Sequence, residues 1–284
     1  MAGLGTRLLP ATKSQPKEML PVARKPIVQY VAEELVGNGA RDILFVTGRG
    51  KSSIENHFDS DPELERVLAA TNKQDLLNQT GVKEFAANLL YTRQAVQRGL
   101  GDAVLCGESF VGSEPFMLAL GDSILGLHAQ SKTITRMREV FESQHASCVF
   151  AVEEVPREET SLYGIVEPAR IDGDVVGVRR LVEKPRIEEA PSNLAIAGRY
   201  IFSPAIFGLI KQVKPDKRGE IQLTEAMNML AERGERVFCV KLPPGEKRYD
   251  IGNYASYYET FVEFALADPE YGAGLRERLK TLLK

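Results

Sequence analysis

Cysteine and histidine are both scarce in this sequence, with three of each among 284 residues. The cysteines form no C-x-x-C pair, and no histidine stands at metal-ligand spacing from them. This excludes a disulfide framework and a Cys/His zinc site, and we expect small buried apolar side chains of a reducing compartment at Cys106, Cys148 and Cys239. No Ser-His-Asp or Cys-His arrangement is evident either, and three histidines lie outside every motif described below: His57, His128 and His145.

The sequence also has no large excess of one charge sign and no long apolar run. The 36 basic and 39 acidic residues leave a net charge of −3, which gives no reason to expect binding to nucleic acid or to an anionic membrane. No apolar run reaches membrane length, and no secretory signal pattern is present. We therefore expect a cytoplasmic protein whose partners are small molecules.

The most informative pattern is the glycine-rich start, Ala2-Gly3-Leu4-Gly5-Thr6-Arg7. Glycines allow the backbone to approach a ligand closely and to point successive N–H groups at one anion. Arg7 and Lys17 add two positive charges, the first as a planar fork and the second as a point charge. At the end of a strand, such a turn would hold a nucleoside triphosphate. The combination with Lys17-Glu18-Met19-Leu20-Pro21 is far more specific than the glycines alone.

Two better-known phosphate loops do not fit. The dinucleotide fingerprint G-x-G-x-x-G would need glycine at position 8, where the residue is Leu8. A P-loop would need glycine at position 45 before Gly50-Lys51-Ser52, and the residue there is Phe45. We interpret Gly50-Lys51-Ser52 as the turn that starts a helix.

The first half of the chain alternates short β-branched runs with amphipathic segments. This pattern predicts strands at 43–47, 89–92, 116–120 and 148–152, and helices at 26–36, 101–110 and 133–144. It is typical of an α/β fold with a Rossmann-like, mostly parallel sheet and helices on both faces, whose ligands gather at the carboxyl ends of strands. The glycine loop and Asp122 both fall at such ends.

The second half is organised differently. Predicted strands at 163–167, 175–182 and 195–202 are linked by turns, which indicates a smaller antiparallel extension. Helices are predicted at 204–211 and 222–232, a strand at 237–242, and C-terminal helices at 254–267 and 269–283, entered through Asn253 as the N-cap. The apolar face of this tail suits either core packing or a subunit contact. At this length we expect one domain, 1–284, with portions at 1–153, 154–253 and 254–284.

With these residues in view, the chain resembles the sugar nucleotidyltransferases, and most closely the bacterial UTP–glucose-1-phosphate uridylyltransferases (UDP-glucose pyrophosphorylases). The resemblance extends over nearly the whole length, and the thymidylyl relatives differ in its second and fourth blocks. The blocks that carry it are 2–7, 16–21, 25–30, 46–51, 97–103, 163–166, 182–185, 198–200, 219–224 and 250–253.

The chain departs from the family pattern in three places. The glycine loop of the family follows an apolar strand, whereas here it begins at Met1. Either the start is truncated or misassigned, or that strand, which would lie near the middle of the sheet, is missing at a cost to stability. The usual Leu-Pro-Asp before the metal carboxylate reads Leu120-Gly121-Asp122, and Arg24 stands where an aspartate commonly precedes Lys25-Pro26. These last two departures leave the ligand groups in place.

The resemblance implies transfer of UMP from UTP to glucose 1-phosphate, with Mg²⁺ as cofactor and a homodimer or homotetramer as the assembly. It divides the chain into a nucleotide-binding portion (1–153), a sugar-binding portion (154–253) and the helical tail. Because both reactants are anions, positioning and charge neutralisation would supply most of the catalysis. Asp122, after an apolar strand, has the hard oxygen ligand that Mg²⁺ prefers, and Asp250 is the second carboxylate of the family pattern. Either aspartate could instead be a helix or turn cap.

The remaining site residues follow from the same resemblance and from the glycine loop. Catalytic roles fall on Arg7, Lys17 and Lys184. Nucleotide contacts fall on Ala2, Gly3, Gly5, Thr6, Glu18, Gln94 and Gly99, where Glu18 could instead orient Lys17. Gln94 and Gly99 correspond to the positions that read the uracil, since an amide both donates and accepts. Sugar contacts fall on Gly164, Glu183 and Gly198.

Three other functions stay open. The same chemistry could use another nucleotide, such as dTTP, or another sugar phosphate. A non-catalytic sugar-nucleotide sensor would lose the phosphate cations or the metal carboxylates, yet both are present. A glycosyltransferase would normally show a D-x-D motif, and Asp122-Ser123-Ile124 lacks the second aspartate.

Overall fold

The structure, a computed structural model, describes residues 3, 5–73, 76 and 85–283. Short 3-10 turns at Thr6–Leu8 and Lys17–Met19 precede the first strand. The elements up to the middle of the chain are β1 (Pro21–Val22), β2 (Lys25–Pro26), α1 (Ile27–Gly37), β3 (Asp42–Thr47), α2 (Ser52–Phe58), α3 (Pro62–Ala70), β4 (Asn88–Arg93), α4 (Gly99–Leu105), α5 (Glu108–Val111), β5 (Phe116–Ala119), β6 (Ser123–Leu125) and α6 (Thr133–Ser143). Those that follow are β7 (Cys148–Glu154), β8 (Gly164–Asp172), β9 (Val175–Glu183), β10 (Leu194–Phe202), α7 (Ala205–Ile210), α8 (Leu223–Glu232), β11 (Val237–Lys241), β12 (Arg248–Asp250), α9 (Tyr254–Leu266) and α10 (Gly272–Leu282).

Helices cover both faces of strand β7. Cys148, Phe150 and Val152 join a cluster with residues of α4, α7 and α8, whereas Val149 and Ala151 join residues of α6. Successive side chains of a strand point to opposite faces, so this division confirms the predicted α/β fold with helices on both faces.

The pairing of the strands corrects one detail of the prediction. The six-stranded sheet has the order β5-β10-β7-β11-β9-β8, and of its neighbouring pairs only β7 and β11 run parallel. Strand β10 lies antiparallel between β5 and β7, and β8 and β9 form a hairpin. The sheet is therefore mixed rather than mostly parallel, while β3 and β4 form a separate parallel pair. The predicted antiparallel extension corresponds to β8, β9 and the adjoining part of β10.

A gap separates β3 from β5. Within the described residues, β3 pairs with β4 alone and β5 with β10 alone. A cavity of about 580 Å³ lies between the two strands, with α1 on one side and α4 and α5 on the other. Its lining includes Val28, Val31, Ile43, Leu118, Val104 and Phe110. The cavity thus lies between two strand edges that have no partner strand among the described residues.

Other predictions hold to within a few residues. The helix expected at 101–110 is two helices, α4 and α5, interrupted at Cys106 and Gly107. Asn253 is the N-cap of α9, and a reciprocal pair of hydrogen bonds with Ser256 completes a capping box. Cys148 and Cys239 are buried and Cys106 is half-buried, and all three are free thiols. Among the described residues, no helix is long and apolar enough to cross a membrane.

Candidate active site

Asp122 and Asp250 are neighbours in the fold. Strand β12 pairs antiparallel with β6, which places Asp250 opposite Ser123, and the N–H of Ile251 donates to the Asp122 carbonyl at 3.4 Å. Burial raises the pKa of Asp250, and the charge of Asp122 raises it further. The structure therefore brings together the two carboxylates that the sequence pattern singled out.

Lys17 supplies a positive charge to this pair of carboxylates. Its ammonium group forms an ion pair with Asp122. Burial alone lowers the pKa of Lys17, but the Asp122 carboxylate outweighs burial and the net pKa is raised. Burial likewise acts to raise the pKa of Asp122, and Lys17 reverses that effect so that the net pKa is lowered. Both groups are therefore charged at neutral pH.

Glu18 and Lys51 form a buried ion pair behind Lys17. Lys51 Nζ lies 2.8 Å from Glu18 Oε2, and both side chains are less than a tenth exposed. Lys51 directly precedes α2, as the predicted helix start requires. The sequence did not indicate its contact with Glu18, which anchors the turn that carries Lys17. The charge of Glu18 also raises the pKa of Lys17.

The glycine loop presents polar groups to solvent. Gly5 has a φ of 67°, a left-handed conformation that favours glycine, and the Thr12 hydroxyl donates to its carbonyl at 2.8 Å. Thr6 and Arg7 begin the following turn and are exposed, and no atom lies within 4 Å of a Cβ built on Gly3. The predicted contact residue Ala2 lies outside the described residues.

Gln94 and Gly99 lie together beside the end of β4. The backbone N–H of Gln94 donates to the Thr47 carbonyl at 2.9 Å, and its side-chain amide donates to the Gly99 carbonyl at 3.1 Å. Gly99 has a φ of 91°, and a Cβ there would lie 2.8 Å from the Ile221 carbonyl oxygen. Glycine at 99 is therefore required by contact with the 219–224 segment, a reason that the sequence did not reveal.

Glu183 ends strand β9 opposite Gly164 of β8, and Lys184 directly follows Glu183. A Cβ at Gly164 would lie 3.3 Å from Glu183 Oε2, so glycine leaves room for that carboxylate. The Thr224 hydroxyl donates to the same oxygen at 3.4 Å. The N–H of Lys184 donates to the Tyr163 carbonyl at 3.0 Å, and its ammonium lies 3.6 Å from Glu183 Oε1.

Gly198 lies beside the turn that carries Asp122. Its φ is 78°, and a Cβ there would meet Ser123 Oγ at 3.0 Å and Leu120 at 3.2 Å. These contacts place Gly198 against the turn that carries Asp122, and the sugar contact expected of Gly198 stays a prediction. The neighbouring Arg199 is fully buried, pairs with Glu34 at 2.6 Å, and donates to the Leu120 and Ser123 carbonyls on either side of Asp122.

Arg248 and Tyr163 join the two ends of the site, and the sequence gave neither a role. The Arg248 guanidinium lies 4.3 Å from the centre of the Tyr163 ring, 2.8 Å from Glu153 and 4.0 Å from Asp250. Burial lowers the pKa of Arg248, but the two carboxylates outweigh it and the net pKa is raised. The sequence feature that could have indicated a role for Arg248 was its position, two residues before Asp250.

The donor set at Asp122 and Asp250 fits a divalent cation that is shared with phosphates. Among the described residues no group of three or more His, Cys, Asp or Glu side chains could hold a metal ion alone. Mg²⁺ typically takes one or two protein carboxylates and fills its other positions with phosphate oxygens and water. The two neighbouring carboxylates of Asp122 and Asp250 match that requirement.

Comparison with known proteins agrees with this geometry. The family model for nucleotidyl transferases matches residues 1–265. A UTP–glucose-1-phosphate uridylyltransferase of Bacillus subtilis is 44% identical over 98% of this chain and 92% of its own length. One of Staphylococcus epidermidis is 42% identical over 99% and 96%. A crystal structure of a UDP-glucose pyrophosphorylase complexed with UDP-glucose aligns with a TM-score of 0.82 and 37% identity, over 93% of this chain and 95% of that one. The chain belongs to the nucleotidyl transferase family.

Proposed function

We propose that this protein transfers UMP from UTP to glucose 1-phosphate, giving UDP-glucose and pyrophosphate. One observation carries this proposal: the site residues form a continuous series of contacts. The series runs from Gln94 and Gly99 through Ile221 and Thr224 to Glu183 and Lys184, then through Tyr163, Arg248 and Asp250 to Asp122, Lys17, Glu18 and Lys51. A series with an amide at one end, a carboxylate–lysine pair near the other and charges between them suits a nucleoside linked to a sugar by phosphates. The relatives and the neighbour complexed with UDP-glucose support it.

The reaction joins two anions, so the roles are electrostatic. An oxygen of the sugar phosphate forms a bond to the α-phosphorus of UTP while the bond from that phosphorus to the leaving pyrophosphate breaks. Arg7, Lys17 and the glycine-loop N–H groups hold the triphosphate, and Lys184 holds the sugar phosphate. Gln94 and Gly99 receive the uracil, and Glu183 accepts hydrogen bonds from the glucose hydroxyls with Gly164 lining their pocket.

Asp122 and Asp250 would hold Mg²⁺. When bound, the ion neutralises charge on the transferring phosphoryl group. The buried Arg199–Glu34 pair holds the turn that carries Asp122 in place. The Lys17 ammonium forms an ion pair with Asp122. The proposed assembly is a homodimer or homotetramer, and the proposed compartment is the cytoplasm. Sedimentation of the purified protein measures the assembly.

The decisive experiment is pyrophosphate release from UTP and glucose 1-phosphate. Asp122→Asn keeps the shape of the side chain but removes its charge, so we expect turnover to fall by at least about 100-fold with an unchanged unfolding temperature. Asp174→Asn is the matched control, since Asp174 pairs with Arg136 on the surface. Unchanged turnover in Asp122→Asn would contradict the metal assignment.

A nucleotide panel at fixed glucose 1-phosphate separates UTP from dTTP as the donor. Tight UDP-glucose binding without any pyrophosphate release would favour the sugar-nucleotide sensor instead.

A further inference from the structure

The side-chain amide of Gln94 is held in one orientation. Its Nε2 donates to the Gly99 carbonyl at 3.1 Å and to Asp102 Oδ2 at 2.7 Å. Both partners can only accept a hydrogen bond, so the two amide hydrogens are used and the opposite orientation would set Oε1 against two oxygens. The side chain is only 4% exposed, which leaves it little room to turn elsewhere.

Asp102 is itself held in place. It lies in the first turn of α4 and is 7% exposed. Arg98 pairs with its second oxygen, Oδ1, at 3.0 Å. The carboxylate therefore has one oxygen committed to Arg98 and the other to Gln94.

The consequence is an oriented acceptor at Gln94. Its Oε1 accepts no hydrogen bond from any residue that the structure describes, and it is not among the buried polar atoms that lack a partner. It is thus accessible to a ligand. A glutamine amide without such constraints can turn by 180° and offer either a donor or an acceptor.

We propose that Asp102 determines base specificity by fixing the orientation of Gln94. Because the site presents an acceptor, it takes bases with an imide N–H, such as uracil and thymine. It rejects cytosine, whose ring nitrogen at the same position is itself an acceptor. This inference rests on the proposed function, in which Gln94 reads the base.

Asp102→Asn tests the proposal, because an asparagine that turns its NH₂ group to Gln94 removes one of the two oxygens that exclude the opposite amide orientation and leaves only the Gly99 carbonyl against it. We expect the ratio of kcat/KM for UTP to that for CTP to fall at least about tenfold, since a site loses discrimination when its polar groups can rearrange. The fall should come mainly from a lower KM for CTP, with kcat for UTP within about threefold of wild type. A general structural defect would lower both activities and leave the ratio unchanged.

Arg98→Met is the matched control, because it keeps the Asp102 carboxylate, and its UTP-to-CTP ratio should equal that of wild type. Calorimetric dissociation constants for UTP and CTP provide the same ratio without turnover. If wild type binds UTP but releases no pyrophosphate, the proposed function fails while the binding ratio still decides the role of Asp102. A ratio within twofold of wild type in Asp102→Asn overturns the inference, and Asp102→Ser replaces that variant if it does not fold.

Discussion

Individual charged side chains in this site are held by other charged side chains. Arg199 and Glu34 are both fully buried, and removing one partner of such a pair typically costs about 3–5 kcal/mol because the other charge stays buried. Arg199 also bonds the carbonyls of Leu120 and Ser123. A strongly held arginine therefore fixes the backbone on both sides of Asp122, which positions that carboxylate before any substrate arrives.

His57 gives the protein a pH dependence of stability away from the site. Burial between α2 and α1 lowers its pKa, although the charge of Glu33 partly opposes this, and Nε2 lies 2.9 Å from Gln29 Oε1. Because the folded state disfavours the charged imidazole, stability is fully present above the ordinary pKa of 6.5 and is lost as pH falls through the lowered value. We expect the unfolding temperature to drop less between pH 8 and pH 5 in His57→Gln than in wild type. Parallel thermal melts at several pH values measure this, and equal slopes would contradict it.

At the scale of elements, backbone hydrogen bonds join the start of α4 to the segment before α8. The N–H of Gly101 donates to the Ile221 carbonyl at 2.9 Å, and the N–H of Ile221 donates to the Arg98 carbonyl at 2.7 Å. These two bonds hold the first turn of α4, which begins at Gly99, against the 219–224 segment.

Gly99→Ala tests this contact. Gly39 has the same φ of 91° as Gly99, but no atom lies within 4 Å of a Cβ built on Gly39. Gly39→Ala therefore measures the backbone strain alone. We expect Gly99→Ala to lower the free energy of unfolding by roughly 1–3 kcal/mol more than Gly39→Ala, and to weaken UTP binding. Urea denaturation with UTP titration compares the two variants, and equal losses would show that the contact with Ile221 is not needed.

The sequence predicts elements well where the signal is local. Helix α1 and its stop after Gly37, strand β3 and the Asn253 cap all follow from patterns within a few residues. The antiparallel placement of β10 between β5 and β7 does not, because pairing partners come from distant segments. Glu34 and Arg199 illustrate the same limit, since each reads as an ordinary surface charge until the fold brings them together.

At the scale of the whole molecule, the cavity of about 580 Å³ between β3 and β5 departs from the close packing of the core. Leu8, which follows the glycine loop, packs with Ile124 and Ile251 next to Asp122.

The assembly of the site could be anticipated only in outline. Motif residues such as Asp122, Asp250, Lys17 and Lys184 were recognisable because they stand in segments that resemble the motifs of a known family. Their supporting partners, including Lys51 and Arg248, became evident only from contacts between segments far apart in the chain.

The short 219–224 segment contacts both the proposed base-binding residues and the proposed sugar-binding residues, through Ile221 beside Gly99 and Thr224 at Glu183. The covalent geometry of this segment therefore sets the distance between these two parts of the site, with no hinge between them. A lesion that displaces this segment should impair nucleotide and sugar affinity in proportion, never one alone.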